Sequence, residues 1–282
     1  MKGEIMELIR SKAGVHIYRC LHNGIPAILK RFDNESDKRE ILNYRILAEH
    51  KIPTIKTFEL NESSLIMEDI TASKDWRLGT EEDLSDTTVA KSLARWYFTF
   101  HENGAAVPEL DSLYFEFDSL TEDNFKLLMQ KFPQAEELFQ FLLSRCGRLR
   151  ELIYTPSFTL TYNDFFWTNL VVRKDKKAAL MFDYNLLGKG YRISDFRNVC
   201  WSMADDAKKA FEDEYNRLYF ERHGCTRVEA EALEGRIDDV AGALFALFVA
   251  FVERDKVPGW AKEQKAAAID GSLLDKARLL LS

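Results

Sequence analysis

The stretch from Phe158 to Asp195 reads FTLTYNDFFWTNLVVRKDKKAALMFDYNLLGKGYRISD, and it decides the fold class. Three short apolar runs in it predict β-strands, and polar loops follow the first and third runs. The first loop carries Asp164 and Asn169, and Asp183 follows the apolar run AALMF. Carboxylates and an amide at strand ends suit a divalent cation and a hydroxyl group that must lose its proton. Phosphoryl transfer is a reaction that needs both.

The overall composition excludes several classes of protein. A net charge of −7 gives no general attraction to nucleic acid or to an anionic membrane, so neither is expected as a partner. The cysteines show no CxxC spacing, so neither a zinc site nor a disulfide framework is predicted. The first residues lack the apolar core of a signal peptide, and no apolar run reaches the roughly 18 residues of a membrane span. We therefore expect a cytoplasmic protein.

Residues 1–70 predict a small β-rich domain. Two β-rich runs, His16–Leu21 and Ile25–Phe32, are joined by a turn containing Asn-Gly, which is a strong hairpin signal. Short helices are predicted over residues 1–10 and from Asp37 to about Glu49, the second with Ser36 as its N-cap. The apolar strand that ends in the acidic linker 67–70 marks the boundary of this domain.

Lys30 and Glu40 form a candidate ion pair within this domain. Lys30 interrupts an apolar strand, a position that a solvent-facing lysine also explains. Glu40 shares one face of its predicted helix with Tyr44 and Leu47. A carboxylate on a buried face needs a cation, and Lys30 is the nearest upstream candidate.

Residues 71–282 predict a larger, mainly helical domain that encloses the central strands. The fold class is therefore α+β, with a small β-rich lobe followed by a larger helical one. The predicted helices are Asp86–His101, Glu122–Lys131, Gln134–Leu152, Phe196–Gly224, Val228–Glu253 and Gly271–Leu281.

With these parts in order, the sequence resembles the aminoglycoside phosphotransferase and choline kinase superfamily, which has a protein-kinase-like two-lobe fold. The catalytic loop of that family reads H-G-D-x-x-x-x-N, and here Tyr162 to Asn169 read Y-N-D-F-F-W-T-N. The family then has a metal-binding Asp after an apolar strand, as at Asp183, followed by a glycine and a further Asp. Gly188 or Gly190 and Asp195 match those positions. The resemblance covers nearly the whole chain.

The resemblance implies a phosphotransferase that uses Mg²⁺ and ATP or GTP. Asp164 would be the catalytic residue that accepts or orients the proton of the substrate hydroxyl. Asn169 and Asp183 would hold Mg²⁺. Lys30, held by Glu40, would contact the α- and β-phosphates. Asp195 would brace the catalytic loop.

The remaining nucleotide contacts implied by the resemblance come from the backbone. Glu68 and Ile70 in the linker would meet the edge of the purine. The segment 12–15, with Ala13 and Gly14, would cover the phosphates, although an ordinary surface turn explains one glycine equally well.

Two departures from the family motif leave an alternative open. Tyr162 and Asn163 stand where the family has His and Gly. The alternative is therefore a catalytically impaired kinase-like protein that binds nucleotide or a partner. Each of Asp164, Asn169 and Asp183 alone could also be a turn former. Protein kinase activity is disfavoured because only the short loop GKGYRIS separates Asp183 from the next helix.

The implied acceptor is a small molecule with a hydroxyl group, similar to an aminoglycoside, choline or an amino sugar. Acidic residues beyond Trp201 are compatible with a cationic acceptor, although a solvated helix surface explains them as well. They are Asp205, Asp206, Glu212, Asp213, Glu214, Glu253 and Asp255. A monomer and a homodimer are both compatible with the sequence.

Overall fold

A computed structural model of the chain describes residues 6–282, and a five-stranded antiparallel sheet forms its N-terminal part. The strands lie in the order β1-β2-β3-β5-β4. They are β1 (Glu7–Lys12), β2 (Val15–His22), β3 (Ile25–Phe32), β4 (Thr57–Leu60) and β5 (Ser64–Glu68). The predicted β2–β3 hairpin is present, and its turn places both Asn23 and Gly24 at positive φ, as a tight two-residue hairpin turn requires.

The helix predicted over residues 1–10 is wrong where the structure describes it. Residues 1–5 lie outside the described part of the chain, and residues 7–10 belong to β1, which pairs with β2. The cross-strand hydrogen bonds of that pairing satisfy the backbone more completely than an isolated helix of this length would. Tertiary pairing therefore decides the conformation here.

Helix α1 (Arg39–Glu49) packs its apolar face into the first of the two hydrophobic clusters described below. Glu40, Tyr44 and Leu47 are all buried on it, as the predicted helix face required. Ser36 is not the N-cap, because a turn occupies residues 35–38 and the helix begins after Lys38 without a side-chain cap.

Two three-stranded sheets follow and carry the central stretch. One has the order β10-β9-β6 and the other β7-β11-β8. Their strands are β6 (Trp76–Leu78), β7 (Tyr114–Phe115), β8 (Thr159–Thr161), β9 (Leu170–Arg173), β10 (Ala179–Met181) and β11 (Gly188–Gly190). The three predicted strands are therefore present, but β8 lies in a different sheet from β9 and β10.

Helices make up most of the remaining chain. They are α2 (Thr87–Gly104), α3 (Glu122–Lys131), α4 (Glu136–Ser144), α5 (Cys146–Ile153), α6 (Arg192–Ser202), α7 (Asp205–His223), α8 (Arg227–Ala230), α9 (Ala232–Phe248), α10 (Ala261–Asp270) and α11 (Ser272–Leu281). A π-helical turn, Val249–Glu253, extends α9. Among the described residues, no helix is long and apolar enough to cross a membrane.

Three predicted helices are interrupted, and α10 (Ala261–Asp270) was not predicted. The helix predicted over Val228–Glu253 is interrupted at Glu231, which separates α8 from α9. The helix predicted over Gln134–Leu152 breaks at Arg145, which leaves helical geometry. The helix predicted over Phe196–Gly224 breaks after Ser202, where buried Met203 and extended Ala204 separate α6 from α7. The Ala204 N–H donates to Leu84 O at 3.0 Å, so a tertiary hydrogen bond stabilises that break.

The apolar interior consists of two clusters. The first contains residues of α1 and β5 together with residues of α2, β9, β10 and α7, so it runs from the N-terminal sheet into the helical part. The second lies among α3, α4, α5, α9 and α11. The first cluster therefore packs directly behind the loops that follow β8 and β10.

Candidate active site

A buried ion pair links the N-terminal sheet to α1. The Lys30 ammonium on β3 lies 2.5 Å from Glu40 Oε2, and both residues are less than a tenth exposed. The same ammonium donates to Asp183 Oδ1 at 2.9 Å. The structure therefore brings together three predicted site residues that lie far apart in the sequence.

Burial at this position changes the pKa of both Lys30 and Glu40. Burial raises the pKa of Glu40 to about 7, against the opposing attraction of Lys30. Burial alone would lower the pKa of Lys30, but Glu40 and Asp183 outweigh it and leave the pKa of Lys30 raised. Lys30 is therefore a fixed positive charge. It contacts Asp183, a cleft residue whose side chain is about a third exposed.

Asp164 and Asn169 lie in the loop between β8 and β9, as predicted. The Asn169 amide nitrogen donates to Asp164 Oδ2 at 3.1 Å and to the Asp164 carbonyl at 3.2 Å. The orientation of the Asp164 carboxylate is thus set by a neighbour on its own loop. Because the nitrogen of Asn169 is used in these bonds, its carbonyl oxygen Oδ1 remains the side-chain atom that could bind a cation.

The environment of Asp164 gives this carboxylate the character of a base. Burial, with the negative charge of Asp183 added to it, raises the pKa of Asp164 to about 6. The hydrogen bond from Asn169 and the positive charges of Arg254 and Lys30 act in the opposite direction. A carboxylate with such a pKa is ionised at neutral pH but accepts a proton more readily than an ordinary aspartate.

Tyr162 and Asn163, the two departures from the family motif, fit the loop. Tyr162 is fully buried, and its hydroxyl donates to the Phe182 carbonyl. Asn163 has a φ of +64°, a conformation that glycine adopts freely and that asparagine tolerates better than most residues. Its amide nitrogen donates to Leu186 O at 3.0 Å. Asn163 can therefore stand at a glycine position of the motif.

Asp195, at the start of α6, braces the catalytic loop from behind. Its carboxylate accepts the Tyr162 N–H at 3.0 and 3.1 Å and the Asn163 N–H at 3.3 Å. His101 of α2 lies 3.0 Å from the same carboxylate and 2.7 Å from the Tyr215 hydroxyl. Burial lowers the pKa of His101, so the imidazole is neutral at pH 7.

A cleft of about 300 Å³ opens beside Lys30, within the size range of small-ligand pockets. Its polar lining consists of Arg19, Lys30, Glu40, Glu68, Asp69, Thr71 and Asp183. Its apolar lining consists of Ile9, Ile17, Ile28, Ile55, Met67, Ile70, Leu78 and Phe182. Apolar walls combined with charged groups match the needs of a planar base that carries phosphates.

The linker at the end of β5 borders this cleft. Both Glu68 and Ile70 line it, and the Glu68 N–H already donates to Lys56 O at 2.8 Å. Between them Asp69 is buried, and it accepts hydrogen bonds from Arg19 Nε at 2.9 Å and from the Thr71 hydroxyl at 2.6 Å. The linker backbone is therefore held in one conformation by side chains on both sides of it.

Ala13 and Gly14 are not brought into the cleft. They form the turn between β1 and β2, both with positive φ, and neither lines the cavity. The Asn34 amide donates to Ala13 O at 2.9 Å, and the Asp33 N–H donates to Gly14 O at 2.8 Å. Gly14 has a φ of +83°, a conformation that residues with a β-carbon rarely adopt, so this turn favours glycine.

The donor set at the mouth of the cleft suits Mg²⁺. Asp183 and the Asn169 Oδ1 atom offer hard oxygen ligands, which Mg²⁺ prefers. No group of three or more His, Cys, Asp or Glu side chains able to hold a metal occurs within residues 6–282. Mg²⁺ is usually bound by one or two carboxylates together with substrate phosphates, so a sparse protein site agrees with a metal that arrives with nucleotide.

Three of the seven acidic residues proposed for a cationic acceptor have partners elsewhere. Glu214 is bound by Arg95 and Arg217, and Asp213 pairs with Lys209 on the surface of α7. Glu212 lies 3.8 Å from the Cys200 sulfur. Their partners make these residues a poor binding surface for an organic ammonium ion.

Several site residues were not found from the sequence. The Arg19–Asp69 pair and the apolar wall formed by Ile17, Ile28 and Met67 were missed. Strict alternation along β2 and β3 would have placed Ile17 and Ile28 on one face, but nothing in the sequence links Arg19 to a carboxylate fifty residues away.

A larger open groove of about 790 Å³ lies elsewhere, among α6, α8, α9, α10 and α11. It contains none of the predicted site residues. The smaller cleft is lined by Lys30, Glu40 and Asp183, so it is the candidate active site.

Comparison with known proteins places the chain among phosphotransferases. The model of the phosphotransferase enzyme family matches residues 6–231. No curated protein sequence matches the chain.

Solved structures share the fold at low sequence identity. Choline kinase LicA from Streptococcus pneumoniae is 14% identical, with a TM-score of 0.60, over 97% of this chain and 95% of that one. Macrolide 2′-phosphotransferase MphH from Brachybacterium faecium is 13% identical, with a TM-score of 0.59, over 94% and 91%. Plasmodium vivax ethanolamine kinase Pv091845 is 13% identical, with a TM-score of 0.56, over 97% and 84%. LicA has also been solved in complex with AMP.

The family match spans most of the chain and includes the whole of the cleft and the catalytic loop. It confirms the resemblance and the α+β kinase-like fold that the catalytic-loop motif predicted. The chain therefore belongs to the phosphotransferase enzyme family.

Proposed function

We propose that the enzyme transfers the γ-phosphoryl group of ATP or GTP, with Mg²⁺, to a hydroxyl of a small metabolite or antibiotic. The observation that carries the proposal is the proximity of three charged groups at and beside one cleft. A fixed cation (Lys30), a cleft-facing carboxylate (Asp183) and a carboxylate with a pKa of about 6 (Asp164) are the parts that phosphoryl transfer uses.

Each residue has a distinct part in this reaction. Lys30 neutralises phosphate charge, and Glu40 keeps its ammonium in place. Asp183 and Asn169 would hold Mg²⁺, which supplies charge stabilisation at the transferring phosphoryl group. Asp164 orients the acceptor hydroxyl for in-line attack and takes its proton as the new O–P bond forms and the bond to the nucleotide breaks.

The nucleotide enters with its base in the apolar part of the cleft. The Glu68 N–H is engaged by Lys56, so the purine edge would meet the Glu68 carbonyl and the Ile70 N–H. The turn at Ala13 and Gly14 would have to move from Asn34 to cover the phosphates. The AMP complex of LicA, a protein with the same fold, supports this assignment of the cleft. We assign the nucleotide-binding lobe to residues 1–70, the catalytic lobe to residues 71–282, and the hinge to 67–70.

The acceptor is similar to an aminoglycoside, choline or an amino sugar. Similar structures are named for a choline kinase, an ethanolamine kinase and a macrolide 2′-phosphotransferase. Glu214 and Asp213 of α7 are already paired with basic side chains, so any ammonium of the acceptor would bind nearer the catalytic loop. Neither nucleic acid nor a membrane has a part in this function, and the enzyme acts as a monomer or a homodimer.

A turnover screen tests the proposal. Aminoglycosides, macrolides, amino alcohols and amino sugars are each incubated with enzyme, Mg²⁺ and ATP or GTP, and nucleoside diphosphate release is measured. We expect at least one acceptor to stimulate release by the wild type and none to stimulate the Asp164→Ala variant. Equal stimulation of both proteins would refute the assigned mechanism, and size-exclusion chromatography of the same sample gives the oligomeric state.

A further inference from the structure

The catalytic loop carries an aromatic side chain that the fold does not bury. Phe166, two residues after Asp164, is 53% exposed, whereas Phe165 between them belongs to the first apolar cluster. The backbone at Phe166 is extended, with φ −148° and ψ 148°. Side chains alternate between the two sides of an extended chain. Burial of Phe165 therefore directs Asp164 and Phe166 to the same, open side of the loop.

The exposed ring is supported from behind by its neighbour. The rings of Phe166 and Trp167 are stacked, with their centroids 5.7 Å apart and their planes 29° from parallel. The Asn169 N–H donates to the Phe166 carbonyl at 2.9 Å, which fixes the backbone of this pair. Phe166 and Trp167, the aromatic pair, therefore present one open ring face beside the catalytic carboxylate.

The aromatic pair is anchored to the wall of the nucleotide cleft. The Gly79 N–H donates to the Leu170 carbonyl at 2.7 Å. Gly79 also approaches the pair so closely that a β-carbon on it would lie 2.6 Å from the Trp167 carbonyl oxygen. Leu78, the preceding residue, lines the cleft. The aromatic pair is therefore attached to the cleft wall on one side and to the loop of Asp164 on the other.

The shape of the aromatic pair indicates what would cover it. Sites for quaternary ammonium ions surround the cation with several rings, whereas two stacked rings offer a single flat face. A sugar or cyclitol ring has C–H groups on its faces and hydroxyl or amino groups around its rim. Such a ring can cover Phe166 with one face while a rim hydroxyl reaches Asp164. A small acyclic amino alcohol has no comparable face.

We propose that the aromatic pair is the surface on which the acceptor stacks, and that the enzyme selects acceptors built on a sugar or cyclitol ring over small acyclic amino alcohols. The inference rests on the proposed function, in which Asp164 activates the acceptor hydroxyl. Phe166 is the specificity-determining residue, because its open face is the part that contacts the acceptor ring.

Three substitutions of Phe166 test this inference. Phe166→Ala removes the ring, Phe166→Leu keeps apolar bulk without a flat face, and Phe166→Tyr keeps the face. Phe220→Ala is the matched control, because Phe220 of α7 is 55% exposed and lies outside both the cleft and the catalytic loop. The acceptors are the best-used aminoglycoside, macrolide or amino sugar of the turnover screen, with choline and ethanolamine as acyclic acceptors. kcat and KM are measured at saturating Mg²⁺–nucleotide, and affinity for Mg²⁺–nucleotide alone is measured by calorimetry.

Covering the exposed half of a phenylalanine side chain corresponds to roughly a three- to tenfold change in a binding constant. We therefore expect Phe166→Ala to raise the KM of the ring acceptor by about that factor with kcat close to the wild-type value. Phe166→Leu should also raise KM, whereas Phe166→Tyr and Phe220→Ala should not. Any use of choline or ethanolamine should be weaker than use of the ring acceptor and should not respond to Phe166→Ala.

Several results would overturn the inference while leaving the proposed function intact. They are a wild-type KM in Phe166→Ala, an equal rise in Phe220→Ala, and a wild-type preference for choline or ethanolamine. A rise of KM for choline equal to that for the ring acceptor would make the pair a cation site instead. Weaker Mg²⁺–nucleotide binding in Phe166→Leu would show that Phe166 supports the loop rather than the acceptor. Failure of every acceptor to stimulate the wild type would refute the proposed function, and this inference with it.

Discussion

Replacing Lys30 alone and replacing Glu40 alone should lower the stability of the protein by unequal amounts. In Lys30→Met, Glu40 stays buried without a cation, and its Oε1 atom already has no hydrogen-bond partner among the described residues. Breaking a buried pair in this way costs roughly 3–5 kcal/mol. In Glu40→Gln the ammonium keeps Asp183 at 2.9 Å, so we expect only about half that loss.

The double variant Lys30→Met/Glu40→Leu removes both buried charges at once. Replacing a buried pair by apolar residues of similar size is often neutral, so this variant should be more stable than Lys30→Met alone. The pH dependence should also differ among the variants. The pKa of Glu40 is raised to about 7, so its protonated form favours folding below its unfolded pKa of about 4.3, and that contribution is lost as the pH rises through 7. Without Lys30 this decline should extend to higher pH.

Urea unfolding followed by circular dichroism measures these differences. With a slope of about 3 kcal/mol per molar urea, Lys30→Met should lower the midpoint by about 1–1.7 M. Glu40→Gln should lower it by roughly half as much. Equal midpoints for Lys30→Met and Glu40→Gln would refute the unequal roles of the two partners. If the double variant is no more stable than Lys30→Met, the unpaired buried charge of Glu40 is not the cause of the lost stability.

Three further perturbations probe other parts of the site. Asp183→Asn should weaken Mg²⁺-dependent nucleotide binding in calorimetry, and unchanged affinity for the Mg²⁺–nucleotide complex would argue against a metal ligand at this position. The acid limb of a kcat/KM–pH profile should fall as the pH drops through about 6, because Asp164 must be deprotonated to act as a base; a profile that is flat down to pH 5 would contradict that role. Gly188→Ala would place a β-carbon 2.3 Å from Tyr114 O and 2.7 Å from the Asn163 amide, so we expect a loss of roughly 1–3 kcal/mol in urea unfolding, and a wild-type midpoint would show that this contact relaxes freely.

The parts of the site that could be predicted from the sequence have local causes. Lys30 and Glu40 lie on neighbouring elements, and a carboxylate on an apolar helix face demands a nearby cation. The loop from Tyr162 to Asn169 could be predicted because a short motif sets its spacing. The two lobes followed from the change from period-two to helical patterns.

The parts that could not be predicted depend on distant residues. Asp183 reaches Lys30 across 153 positions, and Arg19 reaches Asp69 across 50. The conformation of residues 7–10 is decided by pairing with β2, and the break between α6 and α7 is stabilised by Leu84. Tertiary contacts decide these conformations, and local propensity carries no information about such contacts.

The position of the turn at Ala13 and Gly14 also depends on tertiary contacts. The sequence marked it only as a flexible segment, whereas the structure ties it to Asp33 and Asn34, away from the cleft. If the turn left Asp33 and Asn34 to contact nucleotide phosphates, it would change its position, and no local sequence pattern encodes such a change.

The central claim is that Asp164 activates an acceptor hydroxyl at a nucleotide site built by Lys30 and Asp183. It is tested most directly by Asp164→Asn, which keeps the size of the side chain and removes its basic group. With an acceptor identified in the turnover screen, we predict a fall in kcat of roughly 10²- to 10⁴-fold, while affinity for the Mg²⁺–nucleotide complex in calorimetry stays near the wild-type value. Wild-type turnover in Asp164→Asn would contradict the claim.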